Sequence, residues 1–292
     1  MSGRAIRQPT RLVLLEVPTA LRTFGGPRRP GAFADAGTLE ALRRGGHVVS
    51  SERVDLHARA EGELDDVFAL NRALAGRVRE AVAGGAAPLA VLGDCTACLG
   101  VLAGLDRPVG IVWLDAHGDF NTPDTTVTGF LGGMPLAAAV GRCWQEQCAA
   151  LPGFVPAPES QVILVARALD PAEADLLRTS SVHVIDDGSL RQTGRLRALA
   201  DALSSLRRGA EVYLHLDLDV LDPARARANR YAEPGGMTPE EVLGVIGAVG
   251  EHARIAAAAV SAYDPAYDAN GRALAAGREA IVSLAGLMRG SR

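Results

Sequence analysis

Short runs rich in leucine and β-branched residues alternate along this chain with longer segments of helical period, and few architectures can absorb that alternation. Strands are expected at 11–17, 48–54, 88–92, 109–115, 161–166, 182–185, 211–220 and 254–262. Helices are expected at 34–44, 64–83, 96–103, 135–140, 171–179, 195–206, 239–249 and 270–288. Regular βα alternation implies a mostly parallel sheet with helices on both faces, an α/β fold. No Pro/Ser-rich linker or internal repeat divides the 292 residues, and 48% of them are hydrophobic, so a single domain over 1–292 is expected.

Composition removes several classes of function. The formal net charge is −4 and every basic side chain is arginine, which does not describe a nucleic-acid surface. The apolar stretch 12–17 is broken by Glu16 and is too short for an export signal, and no segment reaches the ~18 apolar residues of a membrane span. A cytoplasmic protein with a small-molecule substrate, and neither nucleic acid nor membrane as partner, is the expectation. The four cysteines are Cys95, Cys98, Cys143 and Cys148. Without an export signal, structural disulfides are not expected. Their spacing leaves open a four-thiolate zinc site or a Cys95/Cys98 redox pair.

Ligands of parallel α/β sheets bind beyond the carboxyl ends of the strands, and three of these strands end in unusual polar clusters. One runs into Gly93-Asp94-Cys95-Thr96, a second into Asp115-Ala116-His117-Gly118-Asp119, and a third into Asp217-Leu218-Asp219-Val220-Leu221-Asp222-Pro223. In extended chain Asp115, His117 and Asp119 share a side, as do Asp217 and Asp219. Four converging carboxylates and an imidazole need a compensating cation, and hard divalent ions such as Mn²⁺ suit such a set. Alternatively, the aspartates cap helices and close turns.

The stretch from Asp115 to Pro123, continued by Thr128-Gly129 and Gly133-Met134-Pro135-Leu136, resembles the central signature of the arginase, agmatinase and formiminoglutamase (ureohydrolase) superfamily. Asp217 to Pro223 with Gly235-Gly236-Met237-Thr238 resembles its second signature, Gly93 to Thr96 its first, and Tyr263-Asp264-Pro265 its last, all in family order. The resemblance implies a three-layer α/β/α arginase-like fold with a mostly parallel central sheet, and a homo-oligomer, a trimer or hexamer. It also implies two divalent metal ions, usually Mn²⁺, bridging a hydroxide that hydrolyses a C–N bond of a linear amidine group. Carried over, the metal ligands are Cys95, Asp115, His117, Asp119, Asp217 and Asp219, and Asp119 is also catalytic, orienting the hydroxide. Asn121, Thr128 and Asp170 match substrate-binding positions for an amino-acid-like molecule and Phe130, in the same pocket, replaces a polar neighbour, although Asn121 and Thr128 could equally close turns and Asp170 could cap a helix.

Three other positions depart from the pattern. Cys95 stands where the family has a histidine ligand; a thiolate there shifts preference toward Zn²⁺, Fe²⁺ or Co²⁺, and an inert buried cysteine is the other reading. Gly132 replaces a histidine used in proton transfer, while His183 and His215 lie within expected strands as core or interface residues. Ala262 replaces a glutamate that faces a guanidinium, which disfavours a cationic substrate. A less basic group relieves both losses, so an N-hydroxyguanidino or formimino amino acid is expected to be preferred to arginine or agmatine. Loss of both groups also admits a non-catalytic binding or regulatory protein on the same fold.

Overall fold

The computed structural model describes residues 10–18, 21–22, 31–56, 60–186, 195–207 and 209–288. In chain order the elements are β1 (Arg11–Val17), α1 (Ala32–Asp35), α2 (Thr38–Arg44), β2 (Val48–Arg53), α3 (Glu63–Ala83), β3 (Ala87–Leu92), α4 (Cys98–Leu105), β4 (Gly110–Leu114), α5 (Pro135–Ala139), α6 (Gln145–Ala149), β5 (Val162–Ala166), α7 (Pro171–Arg178), β6 (His183–Asp186), α8 (Arg195–Ser205), β7 (Glu211–Asp217), α9 (Pro239–His252), β8 (Arg254–Ser261) and α10 (Arg272–Leu287). The eight strands form one sheet in the order β2-β1-β3-β8-β7-β4-β5-β6. Every ladder in it is parallel. The architecture is the expected three-layer α/β/α sandwich.

Two apolar cores follow from the period of two along the strands. One face carries Ile111, Trp113, Tyr213, Ala257 and Ala259 against α3 and α4, and the other carries Val112, Leu214, Leu216 and Ala258 against α9 and α10. Helix α4 is buried at every position, which its uniformly apolar sequence requires. It reaches α3 closely because Gly100 and Gly104 have no side chains: a Cβ at Gly100 would stand 2.6 Å from Asn71 O, and one at Gly104 2.4 Å from Val78 Cβ. This contact fixes the segment that leads into α4, and Cys95 lies on that segment. At the sheet margin, β2 exposes Ser50, Ser51, Glu52 and Arg53, polar side chains that discourage further strand pairing.

Four expectations need correction. The helix expected at 34–44 is two, because Gly37 adopts φ +77° between them. The strand expected at 211–220 stops at Asp217 and turns into a 3₁₀ segment, Leu218–Val220. The helix expected from 96 begins as a 3₁₀ turn, Cys95–Ala97, before α4. Helix α6 was not foreseen, since its five residues are too short to display a period. Among the described residues no helix is long and apolar enough to cross a membrane.

Candidate metal centre

The three polar clusters meet at the carboxyl edge of β3, β7 and β4, around a cavity of about 150 Å³ lined by Cys95, Asp115, His117, Asp119, Asp217 and Asp219. The expected ligands come together, but not by the alternation of an extended strand. Asp217 ends β7 and accepts the Asp219 N–H at 2.8 Å, so a tight turn, not a pleat, aims both carboxylates inward. Past β4 the chain continues through an isolated bridge between His117 and Ala168, and Asp119 takes the left-handed φ of +51° to turn its carboxyl back. On the β3 side Asp94 accepts the Thr96 N–H at 2.8 Å and the Leu21 N–H at 2.6 Å, which presents Cys95 to the cavity.

Both trios of closely spaced donors, Cys95–Asp115–Asp119 and Asp115–His117–Asp219, draw on this cluster, with the donor atoms of each within 4.8 Å of one another. The other three cysteines, all buried, enter neither, so a four-thiolate zinc site is not formed among the described residues.

The electrostatics are those of a site short of positive charge. Burial and the neighbouring Asp219 raise Asp115 to about 7. Burial, then Asp219 and Asp115, push Asp217 well above the usual carboxylate range, and burial and Asp115 do the same to Asp119. Asp119 Oδ2 is buried with no hydrogen-bond partner. Burial works against a charged His117, but Asp219 and Asp115, each with a carboxylate oxygen 3.4 Å from Nδ1, outweigh it and hold the imidazole at about 12. Burial raises Asp219 too, yet His117 prevails and its carboxyl lies below the usual range. Among the cluster's own side chains, His117 is the one these carboxylates favour as a cation. Burial and then Asp217 drive the Cys95 thiol well upward, and Sγ donates to Asp217 Oδ2 at 2.9 Å. Crowded carboxylates pushed toward holding protons, one with an unpartnered buried oxygen, form a donor set that divalent cations fit.

A match over residues 14–286 to the family model described as "Arginase family" accompanies this geometry. The chain belongs to the arginase family. It is 34% identical over 225 residues to an arginase of Brevibacillus brevis, covering 72% of each chain. It is 37% identical over 139 residues to an N(omega)-hydroxy-L-arginine amidinohydrolase of Streptomyces lavendulae, 48% of this chain and 46% of that one. The crystal structure of arginase from Bacillus cereus superposes with a TM-score of 0.84 at 27% identity, over 94% of this chain and 98% of that one.

Beyond the arginase-family acidic cluster, the residues expected to hold the far end of a substrate sit on the same cavity. Asn121 Nδ2 donates to Asp170 Oδ2 at 3.0 Å, and Asp170 also precedes α7 as its cap residue. Binding and capping are therefore compatible at Asp170. Thr128 is exposed and accepts the Phe130 N–H at 3.2 Å, a turn contact at the cavity mouth. The Phe130 ring stacks on Tyr231 with centroids 5.4 Å apart and fills the space beside Gly132, where a Cβ would meet it at 2.4 Å. The two departures at 130 and 132 are thus one change of shape.

Sequence reasoning missed several contributors. Glu173 is buried and accepts the Phe120 N–H at 2.8 Å and the Asp170 N–H at 3.1 Å; its position three residues after Asp170 is a capping-box signal that could have revealed it. Arg167 donates to Asp219 O and Glu233 O at 2.9 and 3.0 Å, supporting the turn that carries Asp219. Asn229 Nδ2 reaches Ala262 O at 3.0 Å and Asp219 Oδ2 at 3.4 Å. Neither Arg167 nor Asn229 had a local sequence signal, since both act across the fold. His215, expected to be a core residue, is buried, but its ring also hydrogen bonds toward Cys95 through Ser261.

Proposed function

We propose that this chain is a metal-dependent hydrolase of a linear amidine C–N bond in an amino-acid-derived substrate, with an N-hydroxyguanidino group preferred. The observation that carries the reading is the buried convergence of Cys95, Asp115, His117, Asp119, Asp217 and Asp219 on one cavity, with Asp119 Oδ2 unpartnered. These six residues would hold two divalent ions, Mn²⁺ by family and a softer ion such as Zn²⁺, Fe²⁺ or Co²⁺ favoured near the sulfur. When bound, such ions supply the Lewis acidity that turns water into a nucleophile near neutral pH.

Within the chain, Asp119 Oδ2 is the acceptor available to orient a water by its proton. Asn121 and Asp170 offer a donor and an acceptor to the amino-acid end of the substrate. Ala262 carries only a methyl group, is buried and does not line the cavity, so it offers a guanidinium cation no carboxylate. An N-hydroxyguanidine is less basic and can enter neutral, which avoids burying an unpaired charge. Hydroxylation relieves only that loss and not, as expected from the sequence, both: the departing alkyl nitrogen is unchanged, so with no side chain at Gly132 its proton would have to come from another donor. The identity to the Streptomyces lavendulae amidinohydrolase supports the same substrate class.

Turnover of arginine, agmatine, N-hydroxy-arginine and formimino amino acids by metal-loaded protein, read as urea, hydroxyurea or formamide, tests the reading. N-hydroxy-arginine is expected to have the highest kcat/KM. Arginine or agmatine as best substrate would overturn the substrate class, and no turnover of any would favour a non-catalytic binding protein.

A further inference from the structure

Strands β7 and β8 run side by side with Asp217 opposite Ser261. The period of two puts Tyr213, His215 and Asp217 on one face of β7, and all three are buried. A continuous hydrogen-bonded chain runs along that face. The Tyr213 hydroxyl lies 2.7 Å from His215 Nδ1, His215 Nε2 lies 3.0 Å from Ser261 Oγ, and Ser261 Oγ lies 3.3 Å from Cys95 Sγ. Trp113 stacks on the imidazole at 3.7 Å and 8°, while its Nε1 donates to Asp115 Oδ2 at 3.1 Å. The ring is clamped between Tyr213, Ser261 and the indole. A polar chain inside apolar strands is costly unless every member is satisfied, at about 1–3 kcal/mol per unpaired group. Leu214 and Leu216 fill the opposite face of β7 without that demand, so packing alone does not account for the chain.

We infer that Ser261, oriented by His215 and Tyr213, is a positioning residue that aims its hydroxyl at the Cys95 sulfur when that sulfur ligates a divalent cation. The inference rests on the proposed place of Cys95 among the ligands. Its direction follows from the donors available. A phenol O–H given to Nδ1 leaves the proton of the neutral ring on Nε2, and that N–H donates to Ser261 Oγ. The single Ser261 proton is then free for its other neighbours: Cys95 Sγ at 3.3 Å, Asp217 Oδ2 at 3.4 Å or Leu216 O at 3.4 Å. A sulfur bound to a cation offers only lone pairs, so it needs a donor, and a donor there both fixes the Cβ–Sγ direction and draws charge from the metal–sulfur bond. With the opposite polarity, Ser261 would give its proton to His215 and present lone pairs to lone pairs.

Cobalt(II) loaded anaerobically into the full chain reads this directly, because ligation by sulfur produces a near-ultraviolet charge-transfer band whose energy follows the charge on sulfur. The parent should show the band and Cys95→Ala should lose it. Ser261→Ala should retain the band at a displaced energy with Co²⁺ affinity lowered about tenfold. Ser261→Thr, which keeps the hydroxyl, should restore both, and Tyr213→Phe should displace the band in the same direction by less. Parental energy and affinity in Ser261→Ala, alongside loss of the band in Cys95→Ala, would overturn the inference and leave Cys95 a ligand. A parent that binds cobalt without the band would refute the ligand role of Cys95 and the inference with it. Should Ser261→Ala fail to fold, His215→Asn gives the same readout, and an unmoved band there overturns the proposal equally.

Discussion

On the β4 side of the cavity, His117 sits between the carboxylates of Asp115 and Asp219, 3.4 Å from each, whereas on the β8 side the Cys95 thiol leans on Asp217 and is backed by Ser261 and His215. One half answers its excess negative charge with an imidazolium, the other with a neutral thiol and a chain of hydrogen bonds. Oxygen and imidazole donors suit a hard ion, and a sulfur donor suits a softer one. On the proposed ligand set the two halves of the cluster would bind metal unequally, and the substitutions below test that inequality.

The largest effect belongs to Asp115, which appears in both trios of donors. Asp115→Ala should lower bound divalent metal from about two ions per chain to less than one and reduce hydrolysis by about a thousandfold, several kcal/mol of lost stabilisation. Asp219→Ala should empty the histidine half first and Asp217→Ala the thiol half. Elemental analysis of the purified variants checks this, and parental metal content in all three would dissolve the proposed centre.

Next in size is Cys95→His. Exchanging sulfur for imidazole should make the two halves alike and raise Mn²⁺ affinity about tenfold, near 1.4 kcal/mol. Calorimetric titration with Mn²⁺ measures it. An unchanged affinity would mean that Cys95 does not ligate, and the inequality between halves would need another source.

The two halves were also unequally legible in the sequence. Asp115, His117, Asp119, Asp217 and Asp219 could be read directly, because acidic residues at the ends of apolar strands have few purposes and the sheet gathers those ends at one edge. The strands themselves were legible because buried parallel strands are nearly continuous apolar runs, as β4 and β5 are. What was not legible is how the ligands are aimed. The 3₁₀ turn at Leu218–Val220 and the left-handed Asp119 replace the expected alternation, and no local pattern marks either. The thiol half was the more opaque. Ser261, His215 and Trp113 come from three strands that are distant in sequence, and only the order β8-β7-β4 makes them neighbours.

A smaller effect is expected from pH. Burial and Asp219 raise Asp115 from 3.8 to about 7, so the folded metal-free protein keeps a proton that the unfolded chain releases. That contribution to stability is complete below about pH 4 and is lost as pH rises through about 7. His117, held at about 12 by its carboxylate neighbours against the cost of burial, contributes below about pH 6.5 and loses this only toward 12. A bound cation displaces both protons. The increase in Tm produced by saturating Mn²⁺ should therefore grow with pH, by a few degrees between about pH 5.5 and about pH 8. The Asp219→Ala variant, which breaks the histidine half, should lose most of this growth. An increase in Tm that is the same at both pH values would show that metal does not replace protons on these groups.

The smallest effect on metal should come from Asn229, the side chain that supports the histidine half as Ser261 supports the thiol half. Asn229 is fully buried; its Nδ2 donates to Ala262 O at 3.0 Å and approaches Asp219 Oδ2 at 3.4 Å, and its Oδ1 accepts the Tyr231 N–H at 2.8 Å. Ala262 holds a left-handed φ of +62°, a conformation costing a non-glycine residue roughly 1–2 kcal/mol, so the bond to its carbonyl helps keep it in place. Asn229→Ala removes these contacts together and should lower the unfolding free energy by about 1–3 kcal/mol, measured by denaturant titration. Asp219 nevertheless retains the Ala116 N–H at 3.1 Å and its pairing with His117, so its carboxylate stays aimed. Metal affinity should then change by less than about threefold, under about 0.7 kcal/mol. Asp219 keeps two partners without Asn229, whereas a ligating Cys95 sulfur would give up the proton it donates to Asp217 and keep only the chain through Ser261 and His215. A larger loss of metal affinity in Asn229→Ala than in Ser261→Ala would reverse that ranking and make the histidine half the fragile one.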